Sequence, residues 1–186
     1  MPLFAARYIP NIISCLRILL AIPVGILLLE HRYQETLGLF VMASISDGLD
    51  GFLAKRFGWQ SRLGGFLDPL ADKTLFITTF VILGIIGLVP IWLVLLALIR
   101  DVLIIAGTLS YQLAVEDVQP APSLISKINT FIQMLLVIAV IVSAGFYQLP
   151  KVLTDGLELI LLFTLITSGW HYAYLWGNKA FKLRRS

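Results

Sequence analysis

Six long apolar runs constrain this chain more than any other feature. Each has the length of helix, about 20 residues, that crosses a hydrocarbon core roughly 30 Å thick. We predict membrane-spanning helices over residues 11–29, 35–56, 65–88, 90–113, 123–146 and 152–176. The 186 residues are 59% hydrophobic and 13% charged, and a water-soluble domain of this size could not bury so much apolar surface. The prediction is therefore an all-α integral membrane protein.

The segments between these runs are short, so we predict one membrane domain over residues 1–186, with a juxtamembrane segment 1–10 and a basic tail 177–186. Counting Lys and Arg in the loops places both termini in the cytoplasm. The lone cysteine, Cys15, excludes an intramolecular disulfide and a cysteine metal cluster. No transit segment is recognised before the first run, which favours a bacterial inner membrane.

Ionisable side chains inside the predicted spans indicate a functional site. Each costs about 2.5 to 3.5 kcal/mol on insertion scales, so its presence needs a reason. The acidic pairs lie at the cytoplasmic ends of the second and third spans, where they can face one cavity. The charged residues in or near spans are Arg17, Asp47, Asp50, Asp68, Asp72, Lys73, Arg100, Asp101 and Lys127.

The spacing of four of these acids predicts a metal site. Asp47 and Asp50 are three residues apart and Asp68 and Asp72 four apart, so each pair projects from one face of its helix. Four carboxylates this close would repel one another or take up protons. Two divalent cations would neutralise them, and oxygen ligands suit Mg²⁺, Mn²⁺ or Ca²⁺. Sites of this kind mainly handle phosphoryl groups.

At these positions the chain resembles the CDP-alcohol phosphotransferase (phosphatidyltransferase) family, whose signature is D-x-x-D-G-x-x-A-R-x8-G-x3-D-x3-D. One position departs from it, because Lys55 stands where the family has Arg and offers a point charge in place of a planar fork. The matching residues are Asp47, Asp50, Gly51, Ala54, Gly64, Asp68 and Asp72.

The resemblance implies a homodimer of six-helix protomers, each with two Mg²⁺ or Mn²⁺ ions and a nucleotide in a cavity facing the cytoplasm. It implies an enzyme that transfers the phosphatidyl group of CDP-diacylglycerol to an alcohol and releases CMP. By the same resemblance, Asp72 is the general base. The metal ligands are Asp47, Asp50, Asp68 and Asp72, and the nucleotide-binding residues are Asp50, Gly51, Ala54, Lys55 and Gly64.

Shorter motifs bear on the acceptor alcohol. Pro10, Asn11, Ser14 and Arg17 are shared by phosphatidylglycerophosphate synthases and cardiolipin synthases of the family. Residues 100–102 and 125–130, followed by Gln133, are more similar to the cardiolipin synthases. Asn129 is a neutral amide where glycerophosphate-using relatives tend to carry a second lysine, which a dianionic phosphate would favour. We therefore expect phosphatidylglycerol as the acceptor, bound by Arg100, Lys127 and Asn129, with glycerol 3-phosphate as the alternative.

Other interpretations of these residues stay open. The four aspartates could form a structural ion-pair network with basic neighbours, or the pathway of a divalent-cation channel or carrier. A lipid-binding scaffold is a third class, and it leaves their spacing unexplained. Arg17 could snorkel to the interface, and Lys127 could contact a lipid headgroup. Arg100 and Asp101, being adjacent, should face different ways. We expect Gly84, Gly87, Gly107 and Gly145 to permit close helix packing.

Overall fold

The computed structural model describes the backbone of residues 9–57, 64–114 and 124–183, and the side chains of residues 15–46, 73–106 and 124–170. Within these ranges the chain forms six α-helices and no strand. They are α1 (Ile9–Leu29), α2 (Tyr33–Phe57), α3 (Gly64–Ile85), α4 (Ile91–Ala114), α5 (Leu124–Gly145) and α6 (Lys151–Leu183). Each helix coincides with one predicted span, so the all-helical class is confirmed.

Two helices within the described residues are long and apolar enough to cross a membrane, α5 over Leu124–Gly145 and α6 over Lys151–Trp170. Shorter apolar stretches, Cys15–Leu29 and Lys73–Ile85, are the parts of α1 and α3 whose side chains the structure describes. Large apolar side chains also cover the outside of the described helices, including Ile22, Leu103 and Phe163 at 60% exposure or more. Such a surface is unstable in water and suits lipid. The number of membrane spans and the side of the termini stay predictions.

The contacts divide the chain into two compact units, Met1–Val89 with Val140–Gln148, and Pro90–Ala139 with Leu149–Ser186. In the first unit α1 packs against α2 and α3. Ala21, Val24 and Leu28 of α1 are buried, a spacing that places them on one helix face. A Cβ added to Gly25, between them, would lie 2.9 Å from Cδ1 of Ile82. The absence of a side chain there lets α1 approach α3 closely.

In the second unit α4 packs against α6. Its buried apolar side chains come from three helices, namely Leu93, Val94 and Ala97 of α4, Leu136 and Val137 of α5, and Leu161 and Leu165 of α6. Trp92 and Trp170 are 48% and 79% exposed. Exposed tryptophans near the ends of apolar stretches are typical of membrane interfaces. Polar side chains occupy part of the interior of this unit, and the predicted acceptor residues Arg100 and Asn129 are among them.

Two helix ends differ from the predicted ones. The third span was expected to reach residue 88, yet α3 ends at Ile85 because Gly87 has a φ of 78°. Leu88 N–H donates to the Leu83 carbonyl and Gly87 N–H to the Gly84 carbonyl, which is a Schellman motif. A Cβ on Gly87 would meet nothing within 4 Å. The packing role expected for Gly87 is therefore wrong, because this glycine ends a helix.

The sixth helix continues to Leu183, beyond the predicted end at residue 176. It therefore includes most of the segment assigned as a basic tail. The predicted end followed the loss of apolar residues, but lysine and arginine are good helix formers outside the bilayer as well. Hydropathy marks the end of a span, and the helix itself can run further.

Gly145 does permit close packing, as expected. An added Cβ would lie 2.6 Å from Cβ and 3.3 Å from the carbonyl carbon of Tyr33, at the start of α2. The Gly145 carbonyl also accepts a hydrogen bond of 3.0 Å from Nε2 of Gln34. The end of α5 thus rests directly on the turn between α1 and α2, where any side chain at position 145 would collide with backbone.

We expect Gly145→Ala to lower the stability of the protein by about 1 to 3 kcal/mol, the usual cost of overpacking. The measurement is thermal unfolding of the detergent-solubilised chain. Gly38→Ala is the matched control, since a Cβ there would meet nothing within 4 Å and alanine favours a helix over glycine. Equal melting temperatures for the two variants would show that the Gly145 contact is not tight in solution.

Candidate active site

The signature acids lie on the two helices that the sequence predicts. Asp47 and Asp50 are in the last three turns of α2, and Asp68 and Asp72 are in the first three turns of α3. On a continuous helix, spacings of three and four bring each pair to one face. The segment 58–63 between the helices lies outside the described residues, as do the side chains of all four acids. Their convergence on a shared metal site stays a prediction.

The predicted nucleotide residues belong to the same stretch. Gly51, Ala54 and Lys55 continue α2 beyond the first acidic pair, and Gly64 is the first residue of α3. Their side-chain surroundings lie outside the described residues. The first residues of a helix carry free amide groups that attract anions, so the position of Gly64 agrees with a role near a diphosphate. That role, too, stays a prediction.

The described parts of α2 and α3 beyond the aspartates contain no acidic residue, over 36–46 and 73–85. Hydroxyl groups there bond to their own helix: Ser44 donates to the Phe40 carbonyl at 2.8 Å and Thr79 to the Leu75 carbonyl at 2.8 Å. A transmembrane cation pathway needs oxygen ligands with free capacity along its length. These segments do not offer carboxylates for it.

Arg17, expected to be a possible snorkelling anchor, is enclosed by protein. It lies on α1, in the first unit, and is 2% exposed. A snorkelling side chain keeps its charged head in contact with water or lipid headgroups. That alternative is therefore wrong for Arg17, which belongs to the buried polar residues of its unit.

Arg100 is the centre of a buried polar cluster in the second unit. Its side chain, 6% exposed, joins three helices. Nε and Nη2 donate to Oγ of Ser168 at 3.1 and 2.7 Å, and Nη2 donates to Oγ of Ser126 at 2.8 Å. Nη1 donates to Oδ1 of Asp101 at 2.8 Å. A guanidinium has five N–H donors, so these contacts leave one on Nη1.

The contact with Asp101 corrects one expectation. Adjacent helix positions point about 100° apart, so Arg100 and Asp101 were expected to face different ways. The arginine side chain is long enough to turn back, and the two charges form an ion pair inside the protein. The pair is neutral overall, which lowers the cost of holding both charges away from water.

The other two predicted acceptor residues differ from each other. Lys127 is exposed, whereas Asn129 is completely buried, at 0% exposure. Two positions along a helix turn a side chain by roughly 200°, so the two cannot face the same way. Oδ1 of Asn129 accepts a hydrogen bond of 3.0 Å from Oγ1 of Thr164 on α6. The structure thus joins Arg100 to Ser126 and Ser168, and Asn129 to Thr164, and leaves Lys127 apart on the surface.

Sequence reasoning missed several polar residues of α6. Thr164 and Ser168 are buried, with exposures of 9% and 0%. They are four residues apart within an apolar span, and this spacing indicates a polar helix face. It also missed Asp155, which is exposed, and Glu158, which is half-buried. No described contact links either acid to the cluster around Arg100, so we assign them no role.

A cleft of about 360 Å³ opens in the first unit, lined by residues 31–35 and by Ala144 and Gly145. Its lining carries one carboxylate, that of Glu35, and one guanidinium, that of Arg32. Arg32 Nε donates to Oε1 of Glu35 at 2.9 Å and its Nη1 to Glu30 at 3.4 Å. The hydrogen bonds that Arg32 donates to Glu35, and then to Glu30, raise the pKa of Arg32 above its usual value. The arginine stays charged and is occupied by carboxylates, so the cleft offers no free cation.

Comparison with known proteins agrees with the signature. Residues 7–171 match the family model described as CDP-alcohol phosphatidyltransferase. A cardiolipin synthase (CMP-forming) of Rattus norvegicus is 34% identical over 92% of this chain, which spans 62% of the length of that relative. A putative cardiolipin synthase of Mycobacterium tuberculosis is 33% identical over an alignment that covers 91% of this chain and 78% of the relative.

Relatives named for another acceptor are similar as well. A CDP-diacylglycerol–glycerol-3-phosphate 3-phosphatidyltransferase of Aquifex aeolicus is 31% identical over 94% of this chain and 97% of its own length. The family is membrane-bound and generally uses divalent metals. The resemblance found in the signature is confirmed: with the family model matching almost the whole chain, this protein belongs to the CDP-alcohol phosphatidyltransferase family.

Proposed function

We propose that this chain is a cardiolipin synthase, which transfers the phosphatidyl group of CDP-diacylglycerol to a hydroxyl of phosphatidylglycerol and releases CMP. The observation that carries the proposal is the full set of signature acids on two adjacent helices, α2 and α3. The presence of Asn129 in place of a second lysine favours a monoanionic phosphodiester over a dianionic phosphate. Similarity to relatives named cardiolipin synthase supports the same choice.

The four signature acids are a donor set suited to two Mg²⁺ or Mn²⁺ ions, which prefer carboxylate oxygens. Asp47, Asp50, Asp68 and Asp72 would hold them. When bound, such ions neutralise the diphosphate and the departing CMP. Lys55, Gly51, Ala54 and Gly64 would bind the nucleotide, with the lysine as a point charge near the phosphates.

Asp72 would act as general base. It removes the proton from the attacking hydroxyl, whose oxygen forms a bond to the phosphorus of the phosphatidyl group. The bond between that phosphorus and the bridging oxygen breaks, and CMP leaves with the electron pair. The acceptor's phosphodiester would be held by Lys127 and by the remaining N–H of Arg100. The count of Lys and Arg in the loops supports a site that faces the cytoplasm. We propose that the chain acts there as a homodimer in a bacterial inner membrane.

The alternative within the family is a phosphatidylglycerophosphate synthase, which uses glycerol 3-phosphate. The relative from Aquifex aeolicus favours it. A divalent-cation channel is the alternative from another class, and the apolar described parts of α2 and α3 argue against it.

We expect the purified chain to form cardiolipin from CDP-diacylglycerol and phosphatidylglycerol, and to use glycerol 3-phosphate at least about tenfold less efficiently, because a site with few free cations holds a dianion poorly. The measurement is CMP release with each acceptor supplied separately, with identification of the lipid product. Formation of phosphatidylglycerophosphate alone would contradict the acceptor, and no CMP release with either acceptor would contradict the enzyme.

A further inference from the structure

One edge of the Asn129 amide is unfilled inside the second unit. The residue is 0% exposed, and its Nδ2 has no hydrogen-bond partner among the described residues. Thr164 fills only the other edge, since its Oγ1 lies 3.0 Å from Oδ1 of Asn129 and 2.9 Å from the Leu161 carbonyl. Exchanging the amide's oxygen and nitrogen, which have the same shape, leaves the same edge without a partner. Buried polar groups are rarely left in this state without a ligand or water.

A second amide lies beside the first. Gln133 is four residues further along α5 and is 5% exposed, so it projects from the same helix face as Asn129. On α6, Thr164 and Ser168 face this side, since they bond to Asn129 and Arg100 respectively. The result is a polar seam among the otherwise apolar buried side chains that the structure describes in this unit. It is defined by Arg100, Ser126, Asn129, Gln133, Thr164 and Ser168.

The chemistry of the seam selects a neutral ligand. Arg100 is paired with Asp101, and the part of the seam around Asn129 and Gln133 carries only neutral side chains, so this part suits a neutral group better than a phosphate. Amides both donate and accept hydrogen bonds, as does a hydroxyl group. A hydroxyl placed between Asn129 and Gln133 could accept from one amide and donate to the other.

We propose that Asn129, with Gln133, binds the non-reacting hydroxyl of the acceptor's glycerol headgroup, and thereby sets acceptor specificity. This inference rests on the proposed function. The reacting hydroxyl must give its proton to the base, so it is the headgroup's second hydroxyl that is available for a lasting pair of hydrogen bonds. In this arrangement Asn129 recognises the polyol part of the headgroup and makes no contact with its phosphodiester.

The test uses the full chain in detergent micelles with CDP-diacylglycerol, Mg²⁺ and two acceptor lipids. One is phosphatidylglycerol, and the other is phosphatidyl-1,3-propanediol, which keeps the reacting hydroxyl but lacks the second. The wild type should prefer phosphatidylglycerol by about tenfold or more in kcat/KM, since the headgroup without the second hydroxyl leaves the buried amides unpaired. Asn129→Leu, which removes the amide at similar volume, should reduce that ratio to about one.

Thr167→Val is the matched control. Its hydroxyl bonds to the carbonyls of Phe163 and Thr164 on its own helix, so the wild-type ratio should persist. An Asn129 that is only structural would lower kcat/KM for both lipids equally and leave the ratio unchanged, which would overturn the inference. Equal use of both lipids by the wild type would overturn it as well, and that comparison needs no variant.

Should Asn129→Leu not fold, Thr164→Val replaces it, because the amide then loses the group that orients it and the ratio should fall. An unchanged ratio in Thr164→Val would also overturn the inference. A wild type that releases no CMP with phosphatidylglycerol would instead end the proposed function, and this inference with it. The two failures are therefore distinguishable.

Discussion

Replacing Asp72 with asparagine should lower turnover by roughly 10² to 10⁴-fold, the usual contribution of a general base. The amide keeps the size of the carboxylate but cannot take a proton from the attacking hydroxyl. CDP-diacylglycerol should still bind, because the three other acids and the nucleotide residues are intact. The measurement is steady-state CMP release together with equilibrium binding of CDP-diacylglycerol.

Asp155→Asn is the control for this variant. Asp155 is an exposed acid of α6, outside the signature, so its rate should equal that of the wild type. If Asp72→Asn turned over normally, the base assignment would be wrong. If it also lost the nucleotide, Asp72 would act mainly through the metals.

Removal of divalent metal should abolish turnover, and Mg²⁺ or Mn²⁺ should restore it. Without the ions, four carboxylates on two helices would repel both one another and the diphosphate. We further expect Asp50→Asn to raise the metal concentration for half-maximal activity by more than about tenfold. Mutation of a residue that only hydrogen-bonds to a metal ligand already lowers metal affinity by about 10- to 100-fold, and Asp50 is a predicted ligand.

Calorimetric measurement of Mn²⁺ binding tests whether the acids hold metal ions, and it does not depend on catalytic turnover. The wild type should bind two ions per protomer, and Asp50→Asn should bind fewer or bind them more weakly. The control is Glu158→Gln, which changes a half-buried acid of α6 outside the signature. This variant should bind two ions, like the wild type. A rate that persists in EDTA would refute the metal-dependent mechanism and leave the acids as a structural ion-pair network.

The helices were predictable because their signals are local. The length of a hydrophobic run is matched to bilayer thickness. Each predicted span corresponds to a helix, and the helix begins within a few residues of the predicted start. The ends were less accurate where another rule decided them. Gly87 ended α3 through its left-handed backbone, and α6 continued past the apolar run because charged residues also form helices.

The candidate site was predictable in part for the same reason. The 3.6-residue repeat of a helix is enough to infer that Asp47 and Asp50 share one helix face, and that Asp68 and Asp72 share another. Arg100 and Asn129 were recognised as unusual, but their partners were not. Ser126 and Ser168 lie 26 and 68 residues from Arg100 along the chain, and many serines and threonines in the apolar spans were equal candidates.

The sequence by itself determined the helical class, the membrane as solvent and the pairing of acids on two helix faces. These follow from composition and from the 3.6-residue repeat, which act along the chain. Only the tertiary structure decided that Arg100 is clamped by Asp101 and two serines, that Asn129 is buried with one edge unfilled, and that Gly145 lies against Tyr33. Those facts depend on which helix faces meet, and that is set by side-chain packing between residues far apart in sequence.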